Sequence, residues 1–173
     1  MNIEDLLPDS HRRTADFAAQ IIIKSPENLK RFISEIYKHE GVLAMRITRA
    51  LAIAYELSPD TIHKHTGELL EILCTSENHG MNRGILKIFQ HAWKVLNDEQ
   101  LGKLLNISFN YLENPAAEIA PRVYSMNIIY EYTAVYPEIK NELESIIEFH
   151  YEEGSPAFRA VSRKLLKKLK KNK

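Results

Sequence analysis

Residues 44–60, AMRITRALAIAYELSPD, decide how this chain folds. Apolar side chains recur there at steps of three and four residues, the spacing that places them on one face of an α-helix. The stretch ends in Ser58-Pro59, which suits the start of a new helix, because Ser is a good N-cap and Pro lacks the N–H that would be unpaired at the first helical position. We therefore predict a helix over 41–57, a tight turn, and a second helix over about 59–74. The predicted apolar positions of the first helix are Val42, Met45, Ala50, Ile53, Ala54 and Leu57.

The same helix–turn–helix pattern recurs along the chain. Further helix starts are expected at Ser25-Pro26, Asn97-Asp98 and Pro137, and the starts at Pro59, Asp98 and Pro137 are spaced by 39 and 39 residues. Looser breaks separate the pairs, near Gly41, Gly80, Pro115 to Pro121 and Gly154. Two helices per period of this length predict an α-solenoid, in which pairs stack because no pair can bury its apolar face alone.

One arginine stands at an equivalent place in the first helix of each pair and again in the last helix. The series is Arg13, Arg46, Arg83, Arg122 and Arg159, and from Arg46 onward its gaps are 37, 39 and 37 residues. A cation near the start of a helix faces the positive end of the helix dipole, so a compensating partner is expected. Two interpretations stay open. Either each guanidinium pairs with an acid or carbonyl of a neighbouring unit and serves folding, or the series is a line of binding groups for carboxylates or phosphates.

Three segments carry a resemblance to a known family. The segments 44–60, 81–99 (MNRGILKIFQHAWKVLNDE) and 120–138 (APRVYSMNIIYEYTAVYPE) resemble HEAT repeats, the helical pairs of armadillo-type solenoids. The likeness extends from about Ser10 to Leu169, and the chain looks like short bacterial proteins of this type. The resemblance implies an all-α fold: one domain over 1–173, a right-handed superhelix of about four helical pairs with a final capping helix over 154–173.

Charge is unevenly placed along the chain. The sequence has 23 basic and 23 acidic residues, yet 154–173 holds eight basic residues and no acid, so 1–153 carries a net charge of −8. An acidic body argues against a nucleic-acid footprint over the whole surface. In the last helix, one face is predicted to be apolar: Phe158, Val161, Leu165, Leu166 and Leu169. We interpret it as a cap whose charges lie near the acidic helix before it; a membrane-surface helix and a phosphate-binding arm are the alternatives.

The sequence contains no pattern for a cofactor, a metal site or a catalytic nucleophile. Phosphate-loop, dinucleotide-binding, nucleophile-elbow and paired Cys/His patterns are all missing, and His63 and His65 point to different sides of a helix. Cys74 is the one cysteine, and we predict it to be a small core residue. With no signal-peptide-like stretch and no disulfide pair, the chain is predicted to be cytoplasmic.

These observations favour a non-enzymatic scaffold that binds another protein. Tyrosines crowd one repeat, and Tyr and Arg favour interface hot spots, so Tyr124 and Tyr132 join the arginine series as candidate contacts. The alternative is a nucleic-acid-binding protein related to the HEAT-like DNA alkylation repair glycosylases, which use Trp, Asp and Arg. Here Trp93 is followed four residues later by Asn97 rather than by a carboxylate, and Asp98 is one position off. No membrane partner is expected.

Overall fold

A computed structural model describes residues 2–39 and 41–171 of the chain. Within these ranges every regular element is helical and no strand occurs, so the prediction of an all-α fold of successive helical pairs is confirmed. A 3₁₀ turn, Trp93–Val95, follows the seventh helix. The helices in chain order are α1 Ile3–Leu6, α2 Arg12–Ile22, α3 Pro26–Ile36, α4 Val42–Leu57, α5 Pro59–His63, α6 Thr66–Thr75, α7 His79–Ala92, α8 Asp98–Glu113, α9 Ile119–Tyr132, α10 Ile139–Tyr151 and α11 Pro156–Lys171.

Two of the predicted helix starts are set by side-chain caps, whereas Ser58, which precedes α5, makes no side-chain cap hydrogen bond. The Ser25 hydroxyl accepts a hydrogen bond from the Asn28 backbone N–H at 3.2 Å, and Pro26 occupies the first turn of α3. At α8 the Asn97 side chain accepts from the Gln100 N–H at 2.9 Å, while the Gln100 side chain accepts from the Asn97 N–H at 3.1 Å. This reciprocal pair satisfies two N–H groups that the helix itself leaves unpaired.

Two boundaries differ from the prediction. The helix expected over 59–74 is broken, because α5 ends at His63 and α6 begins at Thr66. The Thr66 hydroxyl donates to the His63 carbonyl at 2.9 Å, which stabilises the turn between them. The helix expected from Pro137 begins at Ile139, two residues later.

The chain forms two compact units, Met1–Gln100 and Leu101–Lys173; the grouping of the whole chain into one domain stays a prediction. In the first unit α4 packs against α2 and against α7. A helix with two such neighbours buries more than one stripe, and nine residues of α4 are buried. The prediction that Val42 and Leu57 belong to the apolar face of α4 is wrong, since these two residues at its ends are 55% and 50% exposed.

Helices α4 and α7 approach each other closely at Gly84. A Cβ atom at Gly84 would lie 2.5 Å from the Thr48 Oγ1 atom and 2.9 Å from its backbone carbonyl carbon. Gly84 and Thr48 are both buried. The missing side chain therefore allows the contact between these two helices.

The prediction that Cys74 is a core residue is wrong. Cys74 is exposed on α6, whereas the two residues before it, Ile72 and Leu73, are buried. Each residue of a helix turns about 100° from the last, so Cys74 leaves the buried side while its neighbours remain on it.

The second unit has its own core, formed by α9, α10, α11 and the part of α8 from Leu101. Its buried cluster consists of Leu112, Met126, Ile129, Leu143, Ile147, Phe158, Leu165 and Leu169. Three members come from α11, and Val161 and Leu166 pack against the same cluster while partly exposed. The predicted apolar face of the last helix and its capping role are confirmed.

Candidate interaction surface

The five arginines of the series lie on five different helices and have different surroundings. Arg46 and Arg122 donate to backbone carbonyls, as the folding interpretation expects. Arg13 is exposed, and Arg83 and Arg159 are partly exposed. Among the residues that the structure describes, none of the five pairs with a carboxylate.

Arg46 attaches the segment before α2 to α4. Its Nη1 atom donates to the carbonyls of Leu7 and Pro8 at 3.0 and 2.8 Å, and its Nε atom donates to the Ser10 hydroxyl at 3.1 Å. Arg49 donates to the Ser10 carbonyl one turn further along. Five-donor guanidinium groups suit such clusters of carbonyls, so Arg46 serves the packing of the first unit.

Arg122 is buried and holds the carboxyl end of α8. Its Nε and Nη2 atoms donate to the Leu112 carbonyl at 3.3 and 3.0 Å, and its guanidinium lies 4.5 Å from the centre of the Phe158 ring. Burial lowers the pKa of Arg122 from its ordinary value. The cation lies at the negative end of the α8 dipole, where the last carbonyls have no partner inside the helix.

The two tyrosines of the sequence prediction differ in accessibility. Tyr132 is fully buried, its hydroxyl donates to the Leu101 carbonyl at 3.3 Å, and burial raises its pKa. Tyr124 is partly exposed. Tyr124 therefore has a side chain that another molecule can reach, while the Tyr132 ring is part of the core.

The basic residues of α11 are only partly compensated. Lys170 lies 3.4 Å from a Glu148 carboxylate oxygen and 3.9 Å from one of Glu144, which agrees with the predicted proximity to the acidic helix. Lys168 sits over the Tyr130 ring at 5.2 Å, and Arg163 donates to the Tyr151 hydroxyl. The ammonium groups of three exposed lysines have no polar partner among the described residues 2–39 and 41–171. They belong to Lys164, Lys167 and Lys171. Lys173 lies outside the described residues.

An open apolar groove lies beside α10 in the second unit. It has a volume of about 560 Å³, and we name it the Phe149 groove. Phe149 is 81% exposed, the largest exposure among the large apolar side chains of the described residues. The lining residues are Glu113, Pro115, Ser145, Ile146, Phe149 and His150. Ile146 also packs against the core of the unit, so one lining residue of the groove is held by that core.

His150 joins the groove to the Arg122 site. The residue is 8% exposed, and its side chain is hydrogen-bonded to the backbone of Glu113. Its ring lies edge-on to the Phe149 ring, with 4.9 Å between the ring centres. Burial, followed by the charge of Arg122, lowers the pKa of His150 from its ordinary value of 6.5, while Glu153 and Glu113 act in the opposite direction. The neutral imidazole is therefore the form that the folded unit favours.

We expect this imidazole to make the second unit less stable in acid. The folded pKa is lower than the unfolded value, so the unfolded chain binds the proton more readily. The stabilisation is complete above pH 6.5 and is lost as the pH falls from there through the folded pKa. Urea unfolding between pH 8 and pH 5 should show a loss in the native chain that is smaller in His150→Gln. Identical pH dependence in both proteins would contradict this prediction.

The residues considered for a glycosylase are in structural roles. Trp93 is 8% exposed in the 3₁₀ turn, with the Lys94 ammonium 5.6 Å from its ring centre. Asn97 caps α8. His63 lies 3.4 Å from Asp60 of α5, and His65, in the turn before α6, lies 3.2 Å from Glu68. No group of three metal-ligating side chains occurs in the described part of the chain.

Sequence reasoning did not find the Phe149 groove. The helical period offered a signal, because Glu142 and Phe149 are seven residues apart and so share one face of α10. Both are exposed. This spacing predicts that Phe149 lies on a helix face that also carries an acid.

The comparisons with known proteins concern the repeat architecture. The family model of the HEAT repeat domain matches residues 3–169. No curated protein and no solved structure matches the chain. None of the described helices is both long and apolar enough to cross a membrane. The choice of a binding surface therefore rests on the geometry of the side chains.

Proposed function

We propose that this chain, which belongs to the HEAT repeat domain family, is a non-enzymatic scaffold that binds another protein through the Phe149 groove. HEAT repeats commonly mediate protein interactions, because stacked helical pairs leave extended surfaces free. Arg13, Arg83, Arg159 and Tyr124 reach the surface and are retained as further contacts in this proposal. We assign Arg46, Arg122 and Tyr132 to folding.

The exposure of Phe149 is the observation that carries the proposal. Covering a phenylalanine side chain is worth roughly 1.5–3 kcal/mol, so leaving it 81% exposed on a well-formed helix forgoes that stabilisation. Large aromatic side chains in an apolar depression are typical binding hot spots. A protein partner would bury Phe149, Ile146 and Pro115 together.

A photo-crosslinking amino acid at Ser145 tests this proposal. Ser145 lines the groove and is exposed, so the substitution leaves the core unchanged. In the cells that make the protein, we expect a discrete protein adduct that disappears when Phe149→Glu is added. The adduct should persist with Phe17→Glu, a matched change at an exposed phenylalanine of the first unit.

Two outcomes would contradict the proposal. The absence of a protein adduct at Ser145 is one of them. An adduct that survives Phe149→Glu is the other, because it would show contact that does not depend on the groove. Both variants should keep the native unfolding midpoint, since both phenylalanines are largely exposed.

Nucleic-acid binding is the second candidate, favoured by the uncompensated lysines of α11. Lys164, Lys167 and Lys171 are spaced by three and four residues and so share one side of the helix. Removing α11 by truncation after Gly154 is not a suitable test of these lysines, because α11 supplies three buried residues of the core and the unit would lose them. Replacing the three lysines by Gln keeps the core, and duplex-DNA binding that weakens with salt and is lost in this variant would favour this function.

A further inference from the structure

We infer, building on the proposed function, that the Phe149 groove takes a segment of a partner protein in which a large apolar side chain is flanked by Lys or Arg. The apolar anchor follows from the walls of the groove, and the basic flanks follow from the carboxylates around it.

The walls of the groove suit one large apolar side chain. Pro115, Ile146 and Phe149 give it apolar surface, and its volume of about 560 Å³ is in the size range of ligand pockets, although the groove is open on one side. An aromatic or leucine side chain entering here would contact the Phe149 ring and the half-buried Ile146 side chain. Such contacts give affinity without requiring the unit to rearrange.

One carboxylate lines this apolar surface, and the sequence places two more near Phe149. Glu113 lines the groove, Glu142 shares the α10 face with Phe149, and Glu153 follows four residues after Phe149. All three are exposed, and within the described residues none forms an ion pair with Lys or Arg. No Lys or Arg is among the described lining residues, and the lining His150 is held toward its neutral form.

Charge therefore selects the occupant. Uncompensated carboxylates attract the cationic side chains of a partner and repel phosphates, so they disfavour nucleic acid and anionic lipid at this place. Exposed pairs are individually weak, but several of them change specificity and association rate. A basic and apolar protein segment is complementary to both parts of the groove.

Selection from a phage-displayed library of random peptides tests the inference. The native chain is the bait, and Phe149→Glu serves for counter-selection. We expect the enriched peptides to share an aromatic or leucine residue with Lys or Arg on both sides. A labelled synthetic copy should bind the triple variant E113Q/E142Q/E153Q on the order of tenfold more weakly.

A matched control separates local charge from net charge. Glu4, Glu27 and Glu77 are exposed acids of the first unit, and replacing all three by Gln changes the net charge equally. We expect this control to bind the labelled peptide like the native chain. Equal weakening in both triple variants would overturn the inference.

The remaining outcomes distinguish the inference from the proposed function. If no peptide is enriched on the native chain over Phe149→Glu, the groove is not a docking site, and both fail. Enriched peptides with acidic or neutral flanks would overturn only the basic-flank inference. Duplex DNA or phosphatidylserine vesicles that bind the native chain but not Phe149→Glu would also overturn it.

Discussion

Gly84→Ala is expected to destabilise the first unit by about 1–3 kcal/mol, the cost of adding a methyl group to a filled contact between helices. The new Cβ would lie within 2.5–2.9 Å of three atoms of Thr48, one of them in the backbone. Rotation of the Thr48 side chain cannot relieve the backbone contact, so α7 must move away from α4. Urea unfolding of the native chain and the variant measures the loss.

Gly102→Ala is the control for this substitution. A Cβ at Gly102 would meet nothing within 4 Å, and the residue lies inside α8. Alanine there should therefore stabilise the chain by about 0.5–1 kcal/mol through its higher helix propensity. If Gly84→Ala lowers the free energy of unfolding and Gly102→Ala raises it, the loss at Gly84 comes from the close contact between α4 and α7. A Gly84→Ala chain as stable as the native one would show that α4 and α7 do not meet so closely.

Arg122→Met should cost about 2–4 kcal/mol. Methionine fills much of the space but donates no hydrogen bond, so the buried Leu112 carbonyl would lose both of its bonds from the guanidinium. The contact of the cation with the Phe158 ring is lost as well. Thermal or urea unfolding, followed by circular dichroism, measures this change.

Arg159→Met is the matched substitution from the same arginine series. Arg159 is partly exposed, and its guanidinium has no hydrogen-bond or ion-pair partner among the residues that the structure describes. Its replacement should change stability by no more than about 0.5 kcal/mol. Similar losses for Arg122 and Arg159 would refute the distinction between a folding arginine and a surface arginine within one series.

The helical periodicity and the turn residues were sufficient to predict the fold. Ser25 and Asn97 cap helices as expected, because capping depends on residues only two or three positions away. Ser58 precedes α5 as expected, but its side chain does not cap that helix. Local patterns of this kind can be recognised without knowing the tertiary structure. The break between His63 and Thr66 was missed, since no Pro or Gly marks it and a threonine hydroxyl bond stabilises it.

The sites depend on partners that are distant in sequence, and this limits their prediction. The five arginines look equivalent along the chain, yet the Arg46 carbonyl partners lie 38 and 39 residues away. The Arg122 partner belongs to the preceding helix. Only the packed structure shows which guanidiniums are hydrogen-bonded to carbonyls of other elements. Phe149 was missed for a related reason, because its exposure depends on where α10 meets the core.

The bonds that hold the end of α8 also bear on the speed of binding. Arg122 fixes the Leu112 carbonyl and His150 is bonded to the Glu113 backbone, so the wall of the Phe149 groove is anchored to α9 and α10. A partner bound as proposed would meet a site that already exists, with no slow opening step before the encounter. Association should follow diffusion and charge attraction, and the lifetime of a complex should depend on how well its apolar anchor fits.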